Sequence, residues 1–153
     1  MSLVGGGSNP KHSIDKILLW DDALSKSHGE LKFKTPVKNV KMSKLLIAAV
    51  LEDRIYVYQL VDLTMKDAIE TAPNPDGICV LNDKVLACPD KMKGEVRVNH
   101  YGNSMVIKIE AHNNNIVAIA LNEDSTQVAT SSDKGTLIRI FSTKDGSKLK
   151  EVR

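Results

Sequence analysis

Residues 111–153 read AHNNNIVAIALNEDSTQVATSSDKGTLIRIFSTKDGSKLKEVR. Apolar residues alternate with polar ones over Ile116–Leu121, Gln127–Thr130, Thr136–Phe141 and Lys148–Val152, a period of two that marks strands. Asn, Asp, Ser and Gly gather between the runs, above all in Ser131-Ser132-Asp133-Lys134-Gly135-Thr136, where they favour tight turns. Strands this short joined by turns this tight pair antiparallel with their sequence neighbours, so the segment predicts one four-stranded meander. A His precedes the first strand and an Arg follows the last.

Working outward, the same period recurs upstream. Candidate strands are Ile17–Trp20, Glu30–Lys34, Val37–Met42, Leu45–Val50, Arg54–Leu60, Ile78–Leu81, Val85–Cys88, Glu95–Asn99 and Met105–Ile109. Residues 61–72 (VDLTMKDAIETA) admit a helical reading, but a connection followed by an outer strand suits the surrounding pattern better. Four runs resemble one another: KILLWDD, RIYVYQL, EVRVNHY and LIRIFST. Their matching positions, Trp20, Tyr58, Asn99 and Phe141, are separated by 38, 41 and 42 residues.

A period near 40 with four short strands per repeat is the signature of a WD-repeat β-propeller, and Trp20-Asp21 preserves the dipeptide itself. The expected fold is therefore all-β: propeller blades of four antiparallel strands. Residues 1–34 end one blade, 35–72 and 73–111 form two more, and 112–153 form the last. Propellers close with roughly four to eight blades, so about three and a half form a partial ring. Such a ring leaves sheet faces and strand edges open, which predicts a piece of a larger propeller or self-association with another copy.

Composition narrows the function. An apolar content of 42% and a charged content of 26% suit a soluble globular domain, and a net charge of +2 gives no bulk reason to expect nucleic acid. The longest apolar run, Lys44–Leu51, is strand-sized and far short of the roughly 18 residues a membrane span needs. Met1 leads into Val4-Gly5-Gly6-Gly7 rather than an apolar signal core. Cys79 and Cys88 lack C-x-x-C spacing and read as small buried thiols in a reducing compartment. G-x-S-x-G, H-E-x-x-H and P-loop motifs are absent, and His12, His28, His100 and His112 are too scattered for a metal. The triple glycine precedes a Pro and a strand rather than a helix N-terminus. The reading is a non-enzyme without metal or cofactor.

Longer motifs carry a family resemblance. V-G-G-G-x-x-P-K-x-S-x-x-K-I-L-L-W-D-D, then F-K-T-P-V-K-N-V-K and I-E-T-A-P-N-P-D-G-I-C, and then the segment from Ala111, resemble the PROPPIN family from Leu3 to Arg153. These are the WIPI-type, phosphoinositide-binding, seven-bladed propellers of autophagy. The resemblance implies recognition of phosphatidylinositol 3-phosphate and 3,5-bisphosphate at two rim sites beside an F/L-R-R-G motif. Val152-Arg153 matches that motif's hydrophobic residue and first Arg. It implies a cytoplasmic protein bound peripherally to endosomal, autophagosomal or vacuolar membranes, with autophagy proteins as partners.

The headgroup ligands implied by the resemblance are His112, Ser132, Thr136 and Arg153. A guanidinium presents a fork of donors to phosphate, and hydroxyls and turn amides fill the remaining acceptors. A structural reading stands beside this one. WD blades are commonly held by a network from a leading His to a Ser and then to Trp, which here maps to His112, Ser131 and Phe141, shortened because Phe has no N–H. Arg139 reads as an ion-pair partner for Asp133 or Glu123, and Lys91, Lys93 and Arg97 as a solvated hairpin. The alternative function is a protein-interaction propeller without a lipid role, with the Pro73–Gly77 loop and exposed apolar residues as its surface.

Overall fold

The computed structural model describes the backbone of residues 2–4, 16–21, 26–33, 35–135 and 137–153, and side chains at 33, 35–135 and 137–153. The Gly5–Gly7 loop lies outside the described residues. Among the described residues all regular structure is strand. β1 (Ser2–Val4), β2 (Lys16–Asp21) and β3 (Lys26–Lys32) form a three-stranded antiparallel sheet. β4 (Asn39–Met42), β5 (Leu46–Val50), β6 (Arg54–Gln59) and β7 (Met65–Glu70) form a four-stranded one. β8 (Val80–Asn82), β9 (Val85–Pro89), β10 (Glu95–His100) and β11 (Met105–Glu110) form the next. β12 (Ile116–Leu121), β13 (Gln127–Ser132), β14 (Ile138–Ser142) and β15 (Lys148–Val152) form the last. Every sheet is a meander of sequence neighbours.

The first strands of successive sheets, β4, β8 and β12, touch one another, which is the radial arrangement of propeller blades. Between blades the core is built from strand alternation. In β5, Leu46, Ala48 and Val50 join Ile55, Val57 and Ile69 against Cys79, Leu86 and Cys88 of the following sheet. The intervening Ile47 and Ala49 face the other way, onto Phe33, Val37 and Tyr58. A strand covered on both faces has no room for polar alternation, which is why Leu46–Leu51 is an unbroken apolar run. β9 repeats the device: Leu86 and Cys88 face backward, Ala87 faces Val96, Val98, Ile116, Val128 and Phe141. Each fully buried Val or Ile contributes about 1.5–3 kcal/mol of hydrophobic stabilisation.

Residues 61–72 do supply an outer strand, β7. The expected strand at Ile78 starts two residues late, because the Asn74 side chain takes both the Ile78 amide (2.8 Å) and its carbonyl (3.0 Å). That clasp stiffens the Pro73–Gly77 loop and buries Asn74. β1 is a strand the sequence pattern missed, and β3 begins at Lys26 rather than Glu30.

The sheets have two distinct ends. The leading end holds the segments before the first strands and the turns at 51–53, 90–94 and 132–135. The trailing end holds the turns around 43–45, 60–64, 101–104 and 143–147. Bonds between blades keep like ends together. At the leading end the Ala72 amide donates to the Asp90 carbonyl at 2.8 Å, and the His112 amide, at the entry to the next blade, donates to the Gly94 carbonyl at 3.0 Å. At the trailing end the His100 Nε2–H donates to the Thr143 carbonyl at 2.6 Å, and the Asn82 amide donates to the Asn122 and Glu123 carbonyls at 3.2 and 3.0 Å.

Candidate functional site

Antiparallel register decides which residues of the last sheet meet. Ile116 pairs with Ser132, and Ile138 pairs with Val152. The start of β12, the end of β13, the start of β14 and the end of β15 therefore share one end, the leading one. His112 stands in the segment that feeds β12, and Ser132 closes β13. Arg153 follows Val152, so the register carries it level with Leu137. Thr136 lies outside the described residues. The three remaining candidates thus occupy one end of one sheet, about 40 residues apart from first to last in the chain.

His112 is half-buried and bonded through Nε2 to the Thr130 Oγ1 at 2.9 Å. Thr130, 1% exposed, donates that hydroxyl's hydrogen to the Arg139 carbonyl across β13 and β14 at 3.4 Å. With its hydrogen so used, the hydroxyl accepts from the imidazole. Burial pulls the His112 pKa below its ordinary 6.5, and the nearby Arg139 charge adds to this against the Thr130 bond. The ring is therefore neutral at neutral pH.

Arg139 sits opposite Glu151 on β15 and reaches it through Nε at 2.9 Å. Its Nη1 donates to the Ala111 carbonyl at 2.6 Å. The Arg139 bond, with Lys148 at 3.4 Å, holds the Glu151 carboxyl below the usual carboxylate range. These contacts correct the sequence expectation: the partner of Arg139 is Glu151, directly across the ladder, not Asp133 or Glu123. They also correct the hydrogen-bond relay. It runs from His112 to Thr130 and the Arg139 carbonyl, whereas Ser131 belongs to the other strand face and Phe141 packs in the core.

The turn between β13 and β14 is open. Gly135 has φ +70° and its amide closes onto the Ser132 carbonyl at 2.9 Å, while nothing stands within 4 Å of where a Cβ would be. The Asp133 amide anchors the turn to the Asn115 carbonyl at 2.9 Å. Asp133, Lys134 and Arg153 are exposed, whereas Ser132 is buried. The arrangement places a guanidinium, an ammonium and an exposed glycine turn, groups able to meet a phosphate, at the same sheet end as the Thr130-bonded His112.

Two features escaped the sequence reading. Gly94 has φ +81° and lies so near the His112 carbonyl that a Cβ there would come within 1.9 Å of the oxygen. A Gly between Lys93 and Glu95 was visible as a turn, but its partner 18 residues on was not. Asp67 is the second: its Oδ2 accepts from the Asn99 amide and the Tyr101 hydroxyl, both at 3.0 Å, tying β7 to the following blade. Arg97, expected in a solvated hairpin, donates from Nε to Asn99 at 2.9 Å, and Lys91 pairs with Glu70 at 3.3 Å. Burial pushes the Cys79 thiol up to about 12 and raises Cys88 as well, so both are inert packing residues.

Comparison with known proteins adds the following. The family model described as PROPPIN matches residues 28–153. The chain is 38% identical to SVP1-like protein 2 of Emericella nidulans, covering 100% of this chain and 49% of that one. It is 38% identical to autophagy-related protein 18e of Arabidopsis thaliana, covering 99% and 42%. The crystal structure of Kluyvelomyces marxianus Hsv2 superposes with a TM-score of 0.83 at 28% identity, covering 93% of this chain and 46% of that one. The chain spans about half the length of the curated relatives it matches.

Proposed function

Because the chain belongs to the PROPPIN family, we propose that it forms part of a propeller scaffold that reads phosphoinositide headgroups on autophagy-related membranes. The observation that carries this reading is the meeting of Arg153, the Ser132–Gly135 turn and the His112 segment at one end of the last sheet. Phosphatidylinositol 3-phosphate and 3,5-bisphosphate are the lipids in view. Arg153 and Lys134 supply charge, the turn amides and the hydroxyls of Ser132 and Thr136 supply further donors, and His112 fixes the frame they stand on. The proposed docking is peripheral, through charge-assisted bonds between the sheet end and the lipid headgroup. Each cation held near an anionic leaflet adds about 1 kcal/mol. The proposed role is that of a scaffold rather than an enzyme, on the strength of the family membership.

Vesicle flotation of the whole-length protein tests this. Recovery is expected with vesicles containing 3-phosphorylated phosphatidylinositol and not with phosphatidylcholine alone. Arg153→Ala removes one set of charge-assisted bonds and weakens recovery about tenfold. Equal flotation with and without the phosphorylated lipid rejects the lipid reading. Loss of flotation in Arg153→Ala with retained capture of protein partners separates it from a propeller that only binds proteins.

A further inference from the structure

The turn between β9 and β10 carries an apolar side chain that the fold does not bury. Met92, at its tip, is 62% exposed and stands between the exposed Lys91 and Lys93. The corresponding turn of the β4–β7 sheet is Leu51-Glu52-Asp53, where the apolar residue is only 3% exposed and the exposed ones are acidic. In the last sheet the matching turn, Asp133-Lys134-Gly135, has no apolar residue. Turns at this end of a sheet therefore form without an uncovered apolar side chain, and the β9–β10 turn has one flanked by two cations.

The turn is fixed to both of its neighbours. The Asp90 Oδ1 accepts from the Lys91 amide at 2.8 Å, and the Glu95 amide closes the loop onto the Met92 carbonyl at 3.1 Å. The Ala72 amide holds the Asp90 carbonyl from one side, and the His112 amide holds the Gly94 carbonyl from the other. Contacts then run on toward the candidate headgroup site. The Ala111 carbonyl accepts from Arg139 Nη1 at 2.6 Å, Arg139 reaches Glu151, and Arg153 follows two residues later. Met92 is thus presented at the same sheet end as Lys134 and Arg153, one blade away. Lys91 pairs with Glu70 at 3.3 Å, but side chains 72% and 60% exposed make this a weak, screened pair that an anionic surface can displace.

We propose that the Lys91–Lys93 turn is a second membrane contact, in which Met92 enters an anionic leaflet while Lys91 and Lys93 meet the lipid phosphates. The inference rests on the membrane reading above and extends it from headgroup capture to insertion by a neighbouring blade. A leaflet suits this turn better than a protein groove does. A convex tip with a single unbranched apolar side chain needs a soft phase to enter, and flanking lysines can lay their stems along the acyl boundary with their ammonium groups among the phosphates. The charge has the same sign as Lys134 and Arg153, so one anionic surface attracts both sites.

Flotation of the whole-length protein on phosphatidylcholine vesicles carrying phosphatidylserine, with and without phosphatidylinositol 3-phosphate, tests the contact. Met92→Ser is expected to lower recovery about fivefold on both, and Met92→Leu to keep it. Lys91→Gln and Lys93→Gln each lower it about threefold, and only while phosphatidylserine is present. Lys144→Gln, at the trailing end, leaves it unchanged, and unaltered circular dichroism shows that these exposed substitutions keep the fold. In this chain Cys79 and Cys88 are buried, so an environment-sensitive fluorophore on Met92→Cys reads insertion directly. Its emission should shift to the blue on the vesicles and be quenched by lipids with a nitroxide on the acyl chain. Unchanged recovery of Met92→Ser, an unquenched fluorophore, or recovery on neither vesicle overturns the proposal. So does loss of protein-partner capture in Met92→Ser with unchanged flotation, which would make the turn a protein contact. Arg153→Ala should remove the gain due to phosphatidylinositol 3-phosphate and leave the Met92 effect on phosphatidylserine vesicles, so failure of insertion is distinguishable from failure of the headgroup reading.

Discussion

The β4–β7 and β12–β15 sheets share one strand plan yet differ in how they are covered. β5 is buried at every position, with one blade against each face. β13 alternates, with Val128, Thr130 and Ser132 buried toward the preceding blade and Ala129 and Ser131 only partly covered. Val117 and Ile138 are 44% and 46% exposed, and β15 is exposed along its length. Strand formation is thus a local matter, while burial depends on how many blades flank a sheet.

The comparison breaks most readily at the core. Ile55→Ala in the doubly covered sheet should destabilise by about 2–5 kcal/mol, while Ile138→Ala in the singly covered one should stay within about 0.5 kcal/mol, as read by urea denaturation. Equal losses would mean that the last sheet is as tightly packed as the second.

Gly94→Ala comes next. It forces a Cβ onto the His112 carbonyl at a positive φ, and about 1–3 kcal/mol of stability should go with it. Because that contact joins the two blades at the leading end, NMR shifts should spread from residues 90–94 into 111–115. Shifts confined to the turn would show that the blades are not coupled there.

The smallest effects are electrostatic. The folded Glu151 pKa lies below its ordinary 4.5, so the contribution of the Arg139 pair is present above that value and is lost as pH falls through the folded pKa. Arg139→Gln should return the Glu151 carboxyl toward 4.5 in an NMR titration and leave neutral-pH stability almost untouched. His112 behaves with the same sign: its folded pKa lies below 6.5, so its contribution is complete above 6.5 and is lost on acidification through the folded value. A His112 resonance titrating above 6.5 in the free protein would contradict the buried, neutral ring.

Much of the fold was legible because a sheet writes itself into sequence with a period of two and its turns with Gly, Asn and Asp. KLLIAAVL and the matching runs near Tyr58, Asn99 and Phe141 announced strands, and the spacing announced blades. The site was less legible. His112 and Arg153 stood out as residue types, but the choice of Thr130 over Ser131 depends on which strand face meets the preceding blade. Burial makes that choice, and burial is not a local quantity. The Glu151 partner of Arg139 likewise follows from the β14–β15 register, which residue spacing leaves open.

Alternation, turn chemistry and repeat length by themselves determined an all-β chain of propeller blades, since each acts over a few neighbouring residues. Only the tertiary structure decided which ends of the sheets gather His112, Ser132 and Arg153, and which faces are covered. Those outcomes depend on contacts between residues some 20 to 40 positions apart, brought together by the stacking of one sheet on the next.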